Sequence, residues 1–465
     1  MMEIKITLLR QKITEHGLAM KLTKRHDDFK VSVITLGCKV NQYESAVISA
    51  ALEEKGYSVI PFLHREADTY IINTCSVTNQ TDFQCRQMIR RAVRSNPEAV
   101  VIVTGCYAQV NPNHVAMIPG VSIVVGNMEK NSIPDILTEM LSKTLSSKHM
   151  AGNKTGIQYC SGMPEILVGS FQQAGPLPFD NLRQFTGHTR AFLKIQDGCN
   201  AHCSYCIVPH ARGPSRSLPY REALKGIQNF RWHGYKEIVL TGIHLGAYGV
   251  DLNHSVSLID LLKPLEGKYP DTRIRMSSIE PLEIDNVMID FLAHSRLVCP
   301  HIHIPLQSGD DNILSSMGRH YNSNFFRNLL DKIFTAMPDA AIGLDILAGF
   351  PGENEMAFNQ TLGLIEQFPI AYLHVFPYSQ RPGTPAASFP NQVSDQEKKR
   401  RTFILRTLGR HKRQAFAERF VGKTLMVLIE GKKDRQSGFH KGFSENYIPV
   451  LLNDGSDFLT NQVLP

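Results

Sequence analysis

Three cysteines stand close together in the stretch DGCNAHCSYC, at Cys199, Cys203 and Cys206, spaced C-x-x-x-C-x-x-C. A closed structural zinc site takes four ligands, usually as two pairs, and no second C-x-x-C exists in the chain. His202 or His210 would have to be recruited as the fourth ligand. A disulfide redox pair needs only C-x-x-C and leaves Cys199 without a purpose. Iron–sulfur clusters are held by cysteine thiolates, normally four, so a loop supplying three leaves one iron open to a substrate or cofactor. A second set is dispersed: TLGC ends at Cys38, INTC at Cys75 and VTGC at Cys106.

The elements around these residues explain how the dispersed set comes together. From Val31 to about Met128, apolar runs (VSVIT, YIIN, AVVIVT) alternate with amphipathic segments such as ESAVISAALEEKG, which is the pattern of βα units in a parallel sheet. Strand carboxyl ends lie along one edge of such a sheet, so Cys38, Cys75 and Cys106 should converge there. Three buried structural cysteines are the plainer reading. Residues 141–186, rich in Ser, Lys, Gly, Gln and Pro, read as a linker that hides at most a short strand. A second series follows: AFLKIQ, EIVLTG, RIRMSS, HIHIPLQ, AIGLDILAG and AYLHVFPYS, with amphipathic segments between them. Six βα repeats suggest an open barrel whose reactive groups sit on the loops after the strands, and DGCNAHCSYC follows the first strand.

Residues 396–423 carry ten Lys and Arg against two glutamates. A solvated helix face is the ordinary reading of such a run. The β-rich tail beyond it suits a small barrel of the kind that binds oligonucleotides, with a last strand that looks short at Pro465. A basic helix beside a small barrel favours RNA, with Lys398, Lys399, Arg400, Arg401, Arg410, Lys412 and Arg413 as the candidates to meet phosphates. The expected organisation is an extension at 1–29, a parallel-sheet α/β domain at 30–140, the linker, a barrel with its basic helix at 187–419, and a β domain at 420–465. Met20 is an alternative start.

The 465 residues suffice for two or three cores, and a net charge of +7 is only a mild bias toward polyanions. No apolar run approaches the roughly 18 residues of a membrane-spanning helix, and no signal-peptide core is present. Nine cysteines are too few for a disulfide scaffold and odd in number. A cytoplasmic, reducing setting is expected.

The run Cys199, Cys203, Cys206, with Tyr205 before the third cysteine, resembles the signature of the radical S-adenosylmethionine superfamily. TLGCKVNQYES, INTCSVTNQ, VTGCYAQ, IPLQSGDDNILSSMGRHY, LDILAGFPGENE and VFPYSQRPGTPAA are similar to the methylthiotransferases of that superfamily, and the resemblance runs from Val31 to the carboxyl terminus. It implies two four-iron, four-sulfur clusters: one on Cys199, Cys203 and Cys206 that binds S-adenosylmethionine and generates a 5′-deoxyadenosyl radical, and an auxiliary one on Cys38, Cys75 and Cys106 that carries sulfur. It also implies a TRAM-like fold for the β domain, a low-potential electron donor such as flavodoxin or ferredoxin, and a sulfur donor. Lys39, Val40, Gln42 and Tyr43 look most like the branch acting on threonylcarbamoylated adenosine in tRNA, whose target lies in the single-stranded anticodon loop. The other branches act on isopentenylated adenosine in tRNA or an aspartate of a ribosomal protein. A rival of another class is a zinc-stabilised RNA-binding protein without catalysis.

The resemblance also points to GIHLGAYG, beginning at Gly242, as a loop near the methionine end of the cofactor, although alone it is an ordinary glycine-rich loop. Tyr205, Ser278, Glu280, Gln307 and Asp345 stand at or near strand exits where further cofactor contacts are expected. Cys85 is expected to be a helix thiol, Cys299 a buried one and Cys160 a linker residue. Trp232 is expected to pack rather than stack on RNA.

Overall fold

The computed structural model describes residues 29–62, 67–150, 164–185, 187–252, 256–453 and 459–465. Met20 with the rest of residues 1–28, and Cys160, lie outside the described residues. The chain divides into two compact units, separated in sequence between Ala174 and Gly175.

The first unit is a parallel sheet of six strands: β1 (Lys30–Thr35), β2 (Ser58–Val59), β3 (Thr69–Thr74), β4 (Val100–Gly105), β5 (Ile123–Val125) and β6 (Glu165–Leu167). Their order is β2-β1-β3-β4-β5-β6. Alternation along the strands sends Tyr70, Ile72, Val101 and Val103 to one face, against Cys85 and Ile89 of the helix Asn79–Ser95. Ile71, Val100 and Ile102 go to the other, against Ile48 and Leu52 of the helix Lys39–Glu54. The helix Asn79–Ser95 starts where Thr78 accepts a hydrogen bond from the Thr81 amide, and it buries Cys85, Ile89 and Ala92 at helical spacing. Strands covered on both faces read as unbroken apolar runs, which is why β3 and β4 were legible. β6 lies in the stretch read as a linker, and the helix Ile133–Met150 runs into that stretch.

The second unit opens with β7 (Ala191–Lys194) and the antiparallel pair β8 (Gln196–Asp197) and β9 (Arg216–Ser217). β10 (Glu237–Thr241), β11 (Arg273–Met276), β12 (His301–Gln307), β13 (Ala341–Ala348) and β14 (Tyr372–Pro377) follow, with helices between them. β7, β10 and β11 form one parallel sheet and β12, β13 and β14 another. The amide of Ile279 donates to the His303 carbonyl (3.0 Å) and joins the two. All six expected barrel strands are thus present in parallel order.

Trp232 corrects an expectation. It ends the helix Tyr220–Trp232 and is 87% exposed, because the helix turns Ala223, Ile227 and Phe230 inward and places position 232 off that face. The long helix Asp395–Glu418 packs on β14, where Gly409 lies so close that a Cβ would meet Leu373. The tail forms an antiparallel sheet from β15 (Val427–Lys433), β16 (His440–Ser444), β17 (Pro449–Leu452) and the two-residue β18 (Val463–Leu464), in the order β17-β16-β15-β18.

This sheet is joined to the barrel strands through a buried charge cluster. Glu237, fully buried at the start of β10, is 2.8 Å from Arg275 Nε and 2.7 Å from Arg273 Nε. Arg273 donates to the carbonyls of Met426 and Phe443, and Arg275 to those of Ser444 and Glu445. Burial raises the Glu237 carboxyl, but Arg275, Arg273 and Arg190 outweigh it and hold it at about 2 against an ordinary 4.5. Its stabilising effect is therefore present above pH 4.5 and is lost as the pH falls toward 2. Glu237→Gln should lower the unfolding free energy by about 3–5 kcal/mol at neutral pH, since it leaves buried guanidinium charge uncompensated. Urea unfolding at pH 7 and pH 3 checks this: the gap between wild type and variant must shrink at the lower pH.

Candidate functional site

In the first unit the chain runs from β1 out to the edge strand β2 and then returns to the far side of β1 as β3. Ligands of open α/β sheets bind at such a reversal, outside the carboxyl ends of the strands. Cys38 lies there, three residues past β1, at the amino end of the helix Lys39–Glu54; Cys75 follows β3 directly, and Cys106 follows β4. Gly37 (φ +100°) permits the approach, because a Cβ on it would sit 2.5 Å from the Cys75 Cβ and 2.8 Å from its sulfur. The Cys75 thiol is pushed up to about 12, first by burial and then by the neighbouring thiols of Cys106 and Cys38. The three expected cysteines therefore share one electrostatic site.

Asparagines brace this site. Asn41 donates to the carbonyls of Leu36 (2.8 Å) and Thr74 (3.0 Å), tying together the two strand exits that carry Cys38 and Cys75. Asn73 donates to Asn41 O and Ser45 Oγ, both at 3.0 Å. Asn127 lies 3.9 Å from the Cys106 sulfur. Cys85 is a buried helix thiol, as expected, and donates to the Cys75 carbonyl at 3.3 Å.

In the second unit, the loop with Cys199, Cys203 and Cys206 is held from several sides. Buried Gln196 donates to the carbonyls of Asp197 and Gly198 and to Ser215 Oγ, and accepts from the His244 amide at 2.7 Å. Gly198 (φ +74°) passes so near Pro214 that a Cβ would lie 1.9 Å from the Pro214 carbonyl oxygen. Ser204 donates its hydroxyl to Ser316 O and its amide to Met317 O, and its carbonyl accepts from the Ala386 amide. Tyr205 packs edge-on to Phe350, 6.4 Å between centroids, within the apolar cluster of Ile313, Met317 and Leu347.

Two charged side chains reach the sulfurs. Arg319 Nη1 is 3.4 Å from Cys203 Sγ, while Nη2 pairs with Glu280 (2.6 Å). His244 Nδ1 is 3.4 Å from Cys199 Sγ, and its Nε2 is 2.6 Å from Glu283. Burial would lower His244, but Cys199 and Glu283 outweigh it and raise it to about 10. Burial lifts the Cys206 thiol to about 12, with Cys203 and Cys199 adding to the effect. Arg319 and His244 sit inside stretches quoted above, SMGRHY and GIHLGAYG, but no spacing rule marks either as a partner of a sulfur.

Among the described residues, only His303, Asp345 and His374 form a group of three or more His, Cys, Asp or Glu with donor atoms all within 4.8 Å of one another. His202 and His210 are both exposed. Sets of three cysteine thiols suit a cluster of several irons.

The remaining expected cofactor contacts scatter. Gly242 closes on Gln196, whose Oε1 would be 2.8 Å from a Cβ. Ser278 is exposed just beyond β11, and Glu280 is engaged by Arg319. Gln307 adopts φ +65° where the register between β12 and β13 shifts. Asp345 is engaged by two histidines: its carboxylate lies 2.8 Å from His303 Nε2 and 3.5 Å from His374 Nδ1.

The basic run also divides. Arg401 is buried, 2.7 Å from Glu353 and 2.8 Å from Glu397, and Lys412 donates to the carbonyls of Glu366 and Phe368. Both are turned to the fold rather than to a phosphate, because helical periodicity places them on the packed side. Arg400 is paired with Glu397 and Glu355, and Lys398 with Asp395, while Lys399 is exposed. Arg410 and Arg413, together with Arg406, line a cavity of about 870 Å³ shared with Phe403, Phe443 and Tyr447. Cations interleaved with aromatic rings can meet both the phosphates and the bases of a single strand.

The thiolate is the nucleophile, so a raised thiol reacts slowly. In metal-free protein at pH 8, iodoacetamide should label exposed Cys38 first and Cys75, Cys85, Cys206 and Cys299 last, as peptide mass spectrometry would read. Early labelling of Cys75 would contradict the packing described.

Known proteins resemble the chain over most of its length. The family described as "Uncharacterized protein family UPF0004" matches residues 30–126, and the Radical SAM superfamily matches residues 193–365. Threonylcarbamoyladenosine tRNA methylthiotransferase MtaB of Bacillus subtilis is 38% identical over 92% of this chain and 91% of its own length. The protein of the same name from Aquifex aeolicus is 36% identical over 90% and 96%. The tRNA-2-methylthio-N(6)-dimethylallyladenosine synthase of Pelotomaculum thermopropionicum is 30% identical over 94% of each chain. Among solved structures, the radical S-adenosylmethionine methyltransferase TsrM of Kitasatospora setae shares the fold, with a TM-score of 0.54, 16% identity, and coverage of 77% of this chain and 76% of that one. From the likeness to the Bacillus protein over nine-tenths of both sequences, the chain belongs to the radical S-adenosylmethionine methylthiotransferases.

Proposed function

We propose that this protein inserts a methylthio group at C2 of N6-threonylcarbamoyladenosine beside the anticodon of tRNA. The observation that carries the reading is the pair of three-thiol sites in a chain whose relatives at 34–38% identity are named for that reaction. Lower identity to the dimethylallyladenosine synthases favours this branch over that one.

Cys199, Cys203 and Cys206 would hold one four-iron cluster and Cys38, Cys75 and Cys106 the other. Bound there with S-adenosylmethionine, these groups supply the radical chemistry and the sulfur. The chain's own residues hold the sulfurs in place. Arg319 donates to Cys203 and neutralises Glu280; His244 bridges Cys199 and Glu283; Gln196 fixes the path of the loop. Tyr205, Gly242, Ser278, Glu280 and Gln307 are the candidates to contact the cofactor, while Asp345 is already engaged by His303 and His374. The antiparallel sheet is read as a TRAM-like domain, which with Arg406, Arg410 and Arg413 receives the tRNA backbone. Lys399 remains an outlying contact. A low-potential electron donor such as flavodoxin or ferredoxin and a sulfur donor complete the system. No described helix is long and apolar enough to cross a membrane.

Anaerobically purified protein should hold about eight irons, falling to about four when either cysteine triplet is replaced by alanine. The nucleoside product should appear on tRNA carrying threonylcarbamoyladenosine and be absent on tRNA lacking that group. Product on isopentenylated tRNA instead would move the protein to the other branch. Arg319→Gln should keep its irons yet lose about 10–100-fold in S-adenosylmethionine cleavage, the usual effect of removing a partner of a metal ligand.

A further inference from the structure

His303 on β12, Asp345 on β13 and His374 on β14 project from one face of three adjacent parallel strands, opposite the apolar face of Ile302, Ile304, Leu344 and Ile346. Register accounts for the meeting: Asp345 pairs directly with His374, and His303 pairs with Gly343, whose missing side chain leaves room. A Cβ on Gly343 would fall 2.1 Å from the Tyr372 ring.

We propose that His303, Asp345 and His374 form a binding site for one divalent transition-metal ion of the zinc class, separate from both cysteine sites. The distances support it. Zn–N and Zn–O bonds of about 2.0–2.2 Å in a tetrahedron place donor atoms about 3.3–3.5 Å apart. Here Asp345 Oδ1 is 2.8 Å from His303 Nε2 and 3.5 Å from His374 Nδ1, and no two donors are more than 4.8 Å apart. Small movements therefore suffice. Two imidazoles and a carboxylate are borderline ligands that suit zinc or ferrous iron rather than magnesium or calcium, and three protein ligands leave a fourth position open.

A second set of contacts orients the ligands. His303 Nδ1 is 3.0 Å from the Tyr372 hydroxyl, which is 2.7 Å from His301 Nε2. With His303 Nδ1–H donating to Tyr372 and the hydroxyl donating to His301, the His303 Nε2 lone pair faces Asp345, as a metal ligand requires. The site is reachable: His374 is half-exposed and lines the cavity that also carries Arg406, Arg410 and Arg413. A water, or a phosphate oxygen if the proposed nucleic-acid surface is right, would complete the coordination.

The test uses the holoprotein with both clusters in place, incubated anaerobically with zinc chloride, freed of unbound metal and measured for zinc and iron, with zinc-edge X-ray absorption to identify the donors. Expected are about one zinc per chain, unchanged iron, and nitrogen or oxygen neighbours near 2.0–2.1 Å without sulfur at about 2.3 Å. Asp345→Asn and His374→Ala should each weaken zinc binding by more than the roughly 10–100-fold that loss of an outer partner produces. His374 is the more exposed, so its variant is the one less prone to misfold, and circular dichroism of both confirms the fold. Absence of zinc, sulfur in its shell, or zinc binding that survives both substitutions would overturn the proposal.

Discussion

A loop of eight residues from Cys199 to Cys206 contains no regular structure with which to hold three sulfurs apart, so it depends on contacts made to it by other elements. Gln196 satisfies the backbone at its start, and Ser204 is pinned from both sides by chain that follows β12 and β14. The Ser204 hydrogen bonds span more than a hundred residues of sequence. They make the first loop of the barrel conditional on the last strands being in place, so the unit folds as a whole or leaves the thiols unpositioned.

The two cysteine sites solve the same electrostatic problem in different ways. Thiolates held near one another raise each other's proton affinity, and burial adds to the effect at Cys75 and Cys206. In the first unit the side chains near the sulfurs are neutral: Asn127 approaches Cys106, Asn41 ties the strand exits together, and Gly37 lets two of them close. In the second, cations stand beside the sulfurs: Arg319 at Cys203 and His244 at Cys199, each tied to a glutamate. The charged surroundings of the second site are better suited to tuning an electron-transferring group, because hydrogen bonds to cluster sulfurs are one of the levers a protein has on potential.

Charge in the carboxy-terminal half does two jobs that composition alone merges. Arg273, Arg275 and Arg190 converge on Glu237; Arg273 and Arg275 fasten the antiparallel sheet through main-chain carbonyls and Arg190 through the Glu430 carboxylate, so these cations are part of the core. Along the helix Asp395–Glu418, periodicity then separates Arg401 and Lys412, which hold the fold, from Arg406, Arg410 and Arg413, which line an aromatic cavity. A basic run is thus a mixture, and its useful fraction is set by which positions fall on the solvent side.

Unbroken apolar runs and the C-x-x-x-C-x-x-C spacing are local signals, so the two series of parallel strands and six cysteines worth attention are legible in the chain alone, whereas the identity of the carboxy-terminal β domain is not. The parallel order of the strands then brought Cys38, Cys75 and Cys106 together, as strand topology requires. What sequence reading missed depends on distance through space. Arg319 and His244 lie 116 and 45 residues from the sulfurs they touch, and the buried state of Arg401 follows from Glu353, 48 residues away. Asp345 had the right type and place for a cofactor contact, yet strand register set it against His374 and near His303 instead. Exposed Trp232 shows the same limit, since a residue's type states a preference for burial and only the packed helix decides which face it occupies.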